Sequence, residues 1–379
     1  MNKPNDTVYQ KLATVLDTLP QGFPATKSGL ELKLLRKVFE PDEAQLFCEL
    51  SLTPETVQEI SDRTGRSIKY LEEKLTSMWE RGEIAGSDIG GVKTFKMVPW
   101  VVGIYELQLE RMDEEFAALC EEYSMILGPQ LLMVKPQLMQ VLPIEKEIPV
   151  EQMALPFQQV SSIIDRSQSF GVRDCVCNKN KKLIGKGCHK PPGVCMAISS
   201  KVEAFENTPH VRSISRDEAS EILIAAEEAA LVHLTANMQE DQAYICNCCS
   251  CCCPVLGAVQ KSNNAGILNS SYYAEIDPEY CDGCGICRDQ RCQVSAILPG
   301  ESQFQIIAQK CIGCALCIDT CPTNAISLVP KDPRRIPDTP QNEAAWLEQR
   351  GRRRGIDFSS HTHKKNKVIL PILSIKEET

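Results

Sequence analysis

The chain has 379 residues, with 41 Lys and Arg against 50 Asp and Glu for a net charge of −9. At 43% hydrophobic and 24% charged it has the composition of a soluble, folded protein of several domains, not of a disordered one. It holds no run of 18 apolar residues and begins MNKPNDTVYQKLATVLDTLP, without an apolar signal region, so neither a membrane span nor export is expected.

Residues 51–99 read SLTPETVQEISDRTGRSIKYLEEKLTSMWERGEIAGSDIGGVKTFKMVP. The pattern predicts a helix near 54–64, a turn at Gly65, a second helix over Ser67–Arg81 and a Gly-rich hairpin near Ile89–Met97. This resembles a winged helix-turn-helix with Ile60, Leu71, Leu75, Met78 and Trp79 as its core. Such a module implies DNA recognition, but the charges oppose it. Between Thr53 and Met97 stand seven basic and eight acidic residues, and Glu72, Glu73 and Glu80 offset Lys69, Lys74 and Arg81 on the second helix. DNA binding needs a positive footprint. A docking or structural role is therefore expected, and no nucleic acid. Residues 101–127 read as a long amphipathic helix closing an N-terminal module over 1–128. Residues 129–157, with five prolines, read as an extended linker.

A cysteine-rich domain is expected over 158–268. The chain carries 20 cysteines. In a reducing cytoplasmic setting that many thiols point to metal ligation ahead of disulfides. Cys48 and Cys120 stand alone in helical patterns and are expected to pack as small hydrophobes. Residues 173–196, RDCVCNKNKKLIGKGCHKPPGVCM, place Cys175, Cys177, Cys188 and Cys195 with the Gly and Pro punctuation of loops. Four thiols suffice for one site. An iron–sulfur cluster is the favoured occupant, because zinc usually takes C-x2–4-C knuckles and C-x-C is short for that. His189 is expected to be a loop residue in solvent. Ser215 and Glu218 then open a helix as a capping box, with Ala219, Ile222, Leu223, Ala226, Ala229 and Ala230 on its apolar face. His233, just beyond, is expected to pack and not to ligate.

Residues 245–254, ICNCCSCCCP, put six cysteines in eight positions. Continued as a strand, Cys246, Cys248 and Cys252 would face one way and Cys249, Cys251 and Cys253 the other. That split favours two targets, with one face either completing the group around Cys175–Cys195 or holding a cluster of its own. One or two further clusters are expected here, with a thiol relay as the alternative.

Residues 271–298 and 303–328 repeat one pattern: a short strand, then C-x-x-C-x-x-C, a further Cys and a closing Ala-Ile. The second copy, Cys311, Cys314, Cys317, Cys321 and Pro322, follows the C-x2-C-x2-C-x3-C-P run. This resembles the two-cluster bacterial ferredoxin domain, over 269–330. The resemblance implies one [4Fe–4S] cube on Cys281, Cys284, Cys287 and Cys321, and another on Cys311, Cys314, Cys317 and Cys292. The first copy departs from the family. Four residues separate Cys287 from Cys292, and Gln293 stands where proline is usual. A bulge at RDQR is expected to keep Cys292 a ligand. Together with GCHKPPGVCM and CNCCSCCCP, the pattern resembles multi-cluster iron–sulfur proteins of anaerobes that end in such a domain.

The remainder, 331–379, carries eleven basic and seven acidic residues and reads as a basic tail. Its RGRRRG, HKKNK and VILPILSI segments admit two readings: contact with an anionic membrane surface at the inner face, or a solvated tail with a short, locally packed strand. The ferredoxin region is acidic, seven against three, so a redox partner with a basic patch is expected. No G-x-G-x-x-G follows a strand and no P-loop occurs, so no nucleotide site is expected. The expectation is an α+β, multidomain electron-transfer protein. A cluster-based sensor and an oxidoreductase acting at an open cluster are the alternatives.

Overall fold

The computed structural model describes residues 4–144, 156–191, 194–300 and 303–362. Helices and antiparallel sheets are mixed. The N-terminal part opens with α1 (Pro4–Asp17), α2 (Leu30–Val38) and α3 (Pro41–Phe47), then β1 (Glu55–Thr56), α4 (Val57–Thr64) and α5 (Ile68–Glu80). The hairpin β2 (Ala85–Ile89) and β3 (Val92–Lys96) follows, and β3 lies between β1 and β2. Thr56 caps α4 by accepting from Glu59 N, while the Glu59 carboxylate reaches back to Thr56 N at 2.8 Å. Gly65 ends the helix in the left-handed conformation, which costs glycine little. Ile60, Leu71, Leu75, Met78 and Trp79 are buried together, as expected. Gly86 is required where it stands, because a Cβ there would lie 2.7 Å from the Trp79 ring.

The stretch 101–127 is not one helix. Residues 101–103 depart from helical angles, α6 (Tyr105–Leu107) is a single turn, and α7 spans Glu114–Met133. Asp113 sets its start by accepting from Phe116 N at 2.7 Å. Pro129 does not end α7, whose buried Leu127, Leu131 and Leu132 keep it docked through the proline.

The expected linker over 129–157 is likewise corrected. Its first residues belong to α7, and β4 (Met139–Leu142) is an edge strand of a six-stranded sheet. All four β4 residues are buried, so packing and not proline content decides their conformation. Residues 145–155 of that segment lie outside the described residues. The sheet thus begins well before 158, where the cysteine-rich domain was expected to start. The remaining elements of this part are α8 (Val160–Asp165), β5 (Ser169–Asp174), α9 (Val176–Leu183), β6 (Val194–Ser199), β7 (Arg212–Ile214), α10 (Arg216–Glu228), β8 (Val232–Ala236), β9 (Tyr244–Cys248) and α11 (Pro254–Ser262). The strand order is β4-β8-β9-β6-β5-β7, antiparallel throughout.

Ser215 caps α10 by accepting from Glu218 N at 3.1 Å. The other half of the expected capping box is replaced, because the Glu218 carboxylate pairs with Arg212. His233 is buried in β8, where its Nδ1 hydrogen-bonds Asn247 Oδ1 at 2.7 Å.

The C-terminal part holds β10 (Tyr272–Ile276), β11 (Ile297–Pro299), β12 (Phe304–Ile306) and β13 (Ile326–Pro330), with β10 paired to β13 and β11 to β12. The expected polar tail begins instead with an ordered helix, α12 (Glu343–Arg354). Trp346 is buried and donates Nε1–H to Gln137 O at 2.9 Å. Arg350, 0% exposed, donates to Leu131, Val134 and Pro136 carbonyls at the end of α7. Arg354 reaches Asp17 and Leu19 at the end of α1. Two of the arginines read as a surface charge run are thus consumed by helix-end carbonyls. The HKKNK and VILPILSI segments lie outside the described residues.

One hydrophobic cluster runs from Leu12 and Trp100 through Val141, Leu234 and Leu256 to Ile312, Leu316 and Trp346. The N-terminal helices, one end of the six-stranded sheet and the C-terminal strands therefore share a core.

Candidate metal centres

In the C-terminal repeat the two halves share the same left-handed backbone positions. Gly283 and Gly285 of the first copy, and Gly313 and Ala315 of the second, all take positive φ, as do Ser295 and Asn324 after the last cysteine of each. Gly313 is forced by space, since a Cβ would lie 2.3 Å from Tyr272 O. Ala296 N donates to Cys292 Sγ at 3.3 Å, and Ala325 N to Cys321 Sγ at 3.3 Å. The two cysteines are equivalent despite the unequal spacing. The extra residue of the first copy is absorbed by a wide turn over Cys287–Arg291, in which Cys292 N donates to Cys287 O at 3.0 Å. The corresponding turn of the second copy is tighter, with Cys321 N bonded to Ile318 O at 3.0 Å.

Cys281, Cys284, Cys287 and Cys321 line one cavity, together with Ile276, Phe304 and Ile326. Three of its thiols come from the first copy and the fourth from the second. Cys292 lies near enough to Cys311, Cys314 and Cys317 to add to the upward push that burial gives their thiols, which is the reciprocal grouping. Burial pushes the Cys314 thiol up to about 12 and Cys287 to about 11. A bare thiolate is unfavourable at such positions, and a bound cation reverses that. Ala274 N and Gly313 N donate to Cys311 Sγ at 3.3 and 3.4 Å, the N–H···S bonds that a cluster-bearing loop requires. The donor sets therefore fit four-iron clusters.

The ten middle cysteines form two groups, and not along the expected lines. Six come together from the ends of β5, β6 and β9 and from two helix N-termini. Cys175 immediately precedes α9, and Cys177 lies in its first turn. Cys195 of β6 is paired with Cys246 of the neighbouring β9, Cys248 ends β9, and Cys253 immediately precedes α11. Their thiols interact in the order Cys177, Cys175, Cys195, Cys246, Cys248, Cys253, and Cys253 faces back toward Cys177. Hydrogen bonds from Cys177 and Cys195 hold Cys175 down at about 3, and bonds from Cys195 and Cys248 hold Cys246 at about 5. Cys175 and Cys246 are thus lowered while Cys177, Cys195 and Cys248 are raised, and thiols that share protons in this way are a ready donor set for metal. Glu106 is next to it, pushed up to about 7 by burial and accepting from Gly103 N at 2.7 Å.

The second group is Cys188, Cys249, Cys251 and Cys252, whose Sγ atoms all lie within 4.8 Å of one another. Cys188 is thus separated from Cys175, Cys177 and Cys195, with which its spacing had grouped it. The expected parity fails as well. Cys246 and Cys248 do share a side, but β9 ends at Cys248 and a turn over 249–252 follows, so Cys252 and Cys253 exchange places. Strand alternation cannot cross a turn. The loop reading of 175–183 is also corrected, because α9 occupies it before Gly185 and Gly187. Its buried Asn180 donates to Ala117 O at 2.8 Å and docks it on α7. His189 is exposed. Cys120 is buried in α7, and burial pushes Cys48 up to about 11; both pack as expected.

Sequence reasoning missed Arg291 and Gln293. Arg291, 5% exposed, donates to Leu316 O at 2.8 Å and to Glu228 and Glu227 carbonyls at 2.9 Å, at the C-terminus of α10. Gln293 Oε1 accepts from Ser250 N at 3.2 Å. Both departures from the ferredoxin pattern are contacts to the cysteine-rich part, and the departures themselves were the signal.

Two cysteine-lined centres in a C-terminal repeat, beside ten clustered thiols, define an iron–sulfur protein. A family model described as a 4Fe-4S binding domain matches residues 304–327, the second copy of the repeat. No curated protein and no solved structure matches the chain.

Proposed function

We propose that this is an electron-transfer protein with two [4Fe–4S] cubes in its C-terminal repeat and a further iron–sulfur cluster on the six-thiol group. Cys281, Cys284, Cys287 and Cys321 hold one cube, and Cys292, Cys311, Cys314 and Cys317 the other. Bound there, the clusters supply one-electron transfer at low potential. The observation that carries the reading is the cavity whose four thiols come three from one copy and one from the other. Contact between the two cysteine regions supports a relay: Gln293, next to Cys292, accepts from the backbone N–H of Ser250, which lies between Cys248 and Cys253.

The protein side supplies orientation and a dry environment. Backbone N–H groups of Ala274, Ala296, Gly313 and Ala325 point at sulfur, which raises the potential of a bound cluster. The N-terminal helices and hairpin act as a winged-helix-like docking module and not as a DNA reader. Lys74 on α5 is engaged by Asp42 at 2.8 Å and Glu43 at 3.4 Å, and Arg81 by Glu83 at 2.9 Å. The redox partner presents a basic patch to the acidic repeat. The chain works in the cytoplasm, where its basic C-terminal residues touch the inner face of the membrane. No helix among the described residues is long and apolar enough to cross one.

The test is iron, acid-labile sulfide and reduced-state electron paramagnetic resonance on protein purified without oxygen. About 12 irons per chain, four per cluster, are expected. About 8 irons, unchanged by Cys246→Ser, would remove the cluster from the six-thiol group while leaving the repeat's two. Fewer than about 8 after reconstitution would sink the whole reading.

A further inference from the structure

Cys188, Cys249, Cys251 and Cys252 differ from the other thiols in compactness. Cys188 Sγ lies 3.8 Å from Cys249 Sγ and 3.7 Å from Cys252 Sγ, and all four are mutually within 4.8 Å. A tetrahedron with metal–sulfur bonds of about 2.3 Å has sulfur–sulfur edges of about 3.8 Å. A four-iron cube sets a separate iron under each thiolate, so its sulfurs must stand well beyond that edge. Among the described residues no three thiols of the C-terminal repeat, and no three of the six-thiol group, are packed this closely.

We propose that these four thiols hold one four-coordinate zinc ion, which acts as a structural staple and carries no electrons. Four soft sulfur donors in a tetrahedron select zinc or iron over harder cations. Cys249 and Cys252 supply the C-x2-C knuckle spacing that is missing from the Cys175–Cys177 pair. The sulfur of Cys252 also has an orienting partner, since Asn178, 4% exposed, places Nδ2 at 3.7 Å from it. Binding displaces the thiol protons to solvent and changes no oxidation state, because zinc has no accessible redox couple.

The position of the site gives the ion its task. Cys188 belongs to the stretch between α9 and β6, which holds no regular secondary structure over 184–191. Its partners form the turn between β9 and α11. Each tethered segment is flanked by members of the six-thiol group: Cys177 and Cys195 on one side, Cys248 and Cys253 on the other. One inert ion thus fixes the relative positions of residues that bind the neighbouring cluster. The bond from Lys190 Nζ to Ala229 O at 2.8 Å ties the same stretch to the end of α10.

The experiment is zinc and iron analysis of full-length protein, purified without oxygen from cells supplied with both metals. It compares wild type with Cys188→Ser and Cys251→Ser. About one zinc per chain is expected in wild type and none in Cys188→Ser, whose iron should fall by no more than the four of the neighbouring cluster. Cobalt exchanged into the zinc site is expected to show the visible ligand-field bands of a tetrahedral thiolate complex. Loss of about four irons from Cys188→Ser, with no zinc in wild type, would instead make the site a cluster. One iron in place of the zinc would also overturn the assignment, as would wild type without zinc. If Cys188→Ser does not fold, Cys251→Ser decides. That thiol is exposed and leaves three donors, so zinc affinity against a chromogenic chelator is expected to fall by about tenfold or more. An unchanged affinity would refute four-thiolate coordination. Because zinc and iron are counted separately, failure here leaves the electron-transfer reading standing, and the reverse also holds.

Discussion

The guanidinium of Arg291 donates to the backbone carbonyl of Glu228 at 2.9 Å, which joins the widened cysteine loop of the repeat to the C-terminus of α10. The same side chain satisfies Glu227 O and Leu316 O. A cation against the negative end of a helix is favoured, and three carbonyls in a buried site would be costly to leave bare. The inserted residue therefore serves docking while Cys292 keeps its place.

Replacement of Arg291 by Ala is expected to lower stability by roughly 2–5 kcal/mol, since it strands buried carbonyls at about 1–3 kcal/mol each and some admit water. The iron content of the folded variant should stay at the wild-type value. Denaturant unfolding with parallel iron analysis checks this, and an unchanged midpoint would deny the contact its role.

The ligand sets proposed above predict a crossed signature. Cys292→Ala is expected to disturb the cube shared with Cys311, Cys314 and Cys317, although it belongs to the first motif. Cys321→Ala should disturb the cube of Cys281, Cys284 and Cys287. Each should cost about four irons. Pairing each variant with Gly285→Ala or Gly313→Ala, which strain one loop apiece, identifies which cube is lost by its resonance spectrum. Loss of the cube within the same motif would contradict the crossing.

Glu83 ties stability to pH. It is 0% exposed and pushed up to about 8 by burial and the Glu43 carboxylate, against the pull of Arg81 and Arg111. In the unfolded chain the same carboxyl titrates near 4.5. Between those values the folded state holds the extra proton. The contribution is complete below about 4.5 and is lost as pH rises to about 8, with a slope of up to about 1.4 kcal/mol per pH unit. Glu83→Gln should flatten the decline between pH 6 and 8 in denaturant titrations. An identical slope in the variant would assign the dependence to other groups.

Trp346 anchors α12 against the strand-entry residue Gln137, with Arg350 stacked 4.9 Å from its ring centroid. Trp346→Ala is expected to cost about 3–5 kcal/mol. Proteolysis should then open first near α12 and not in the cysteine-rich sheet. Equal protection of α12 in wild type and variant would show that Arg350 suffices.

Much was legible where chemistry is local. Ser215 had to open a helix because its hydroxyl lies within reach of Glu218 N, and Gly65 had to close one because it turns left-handed at little cost. The C-x2-C-x2-C loop at Cys311–Cys317 declared a 4Fe-4S binding motif through spacing alone, since the loop that presents three thiolates is built from consecutive residues. Even the two departures at Arg291 and Gln293 were visible as departures, though not as contacts. Conversely, Pro129 signalled a break that Leu127, Leu131 and Leu132 overrode by packing.

The amino-acid order by itself determined the iron–sulfur character, the repeat and the local caps, because each depends on residues a few positions apart. Only the tertiary structure decided the partition of the middle thiols. Cys188 leaves its sequence neighbours for Cys249, Cys251 and Cys252, and Cys195 meets Cys246 across two strands. Such sorting depends on where β9 stops and how β6 and α9 approach it, and those positions are set by long-range burial that no spacing between cysteines records.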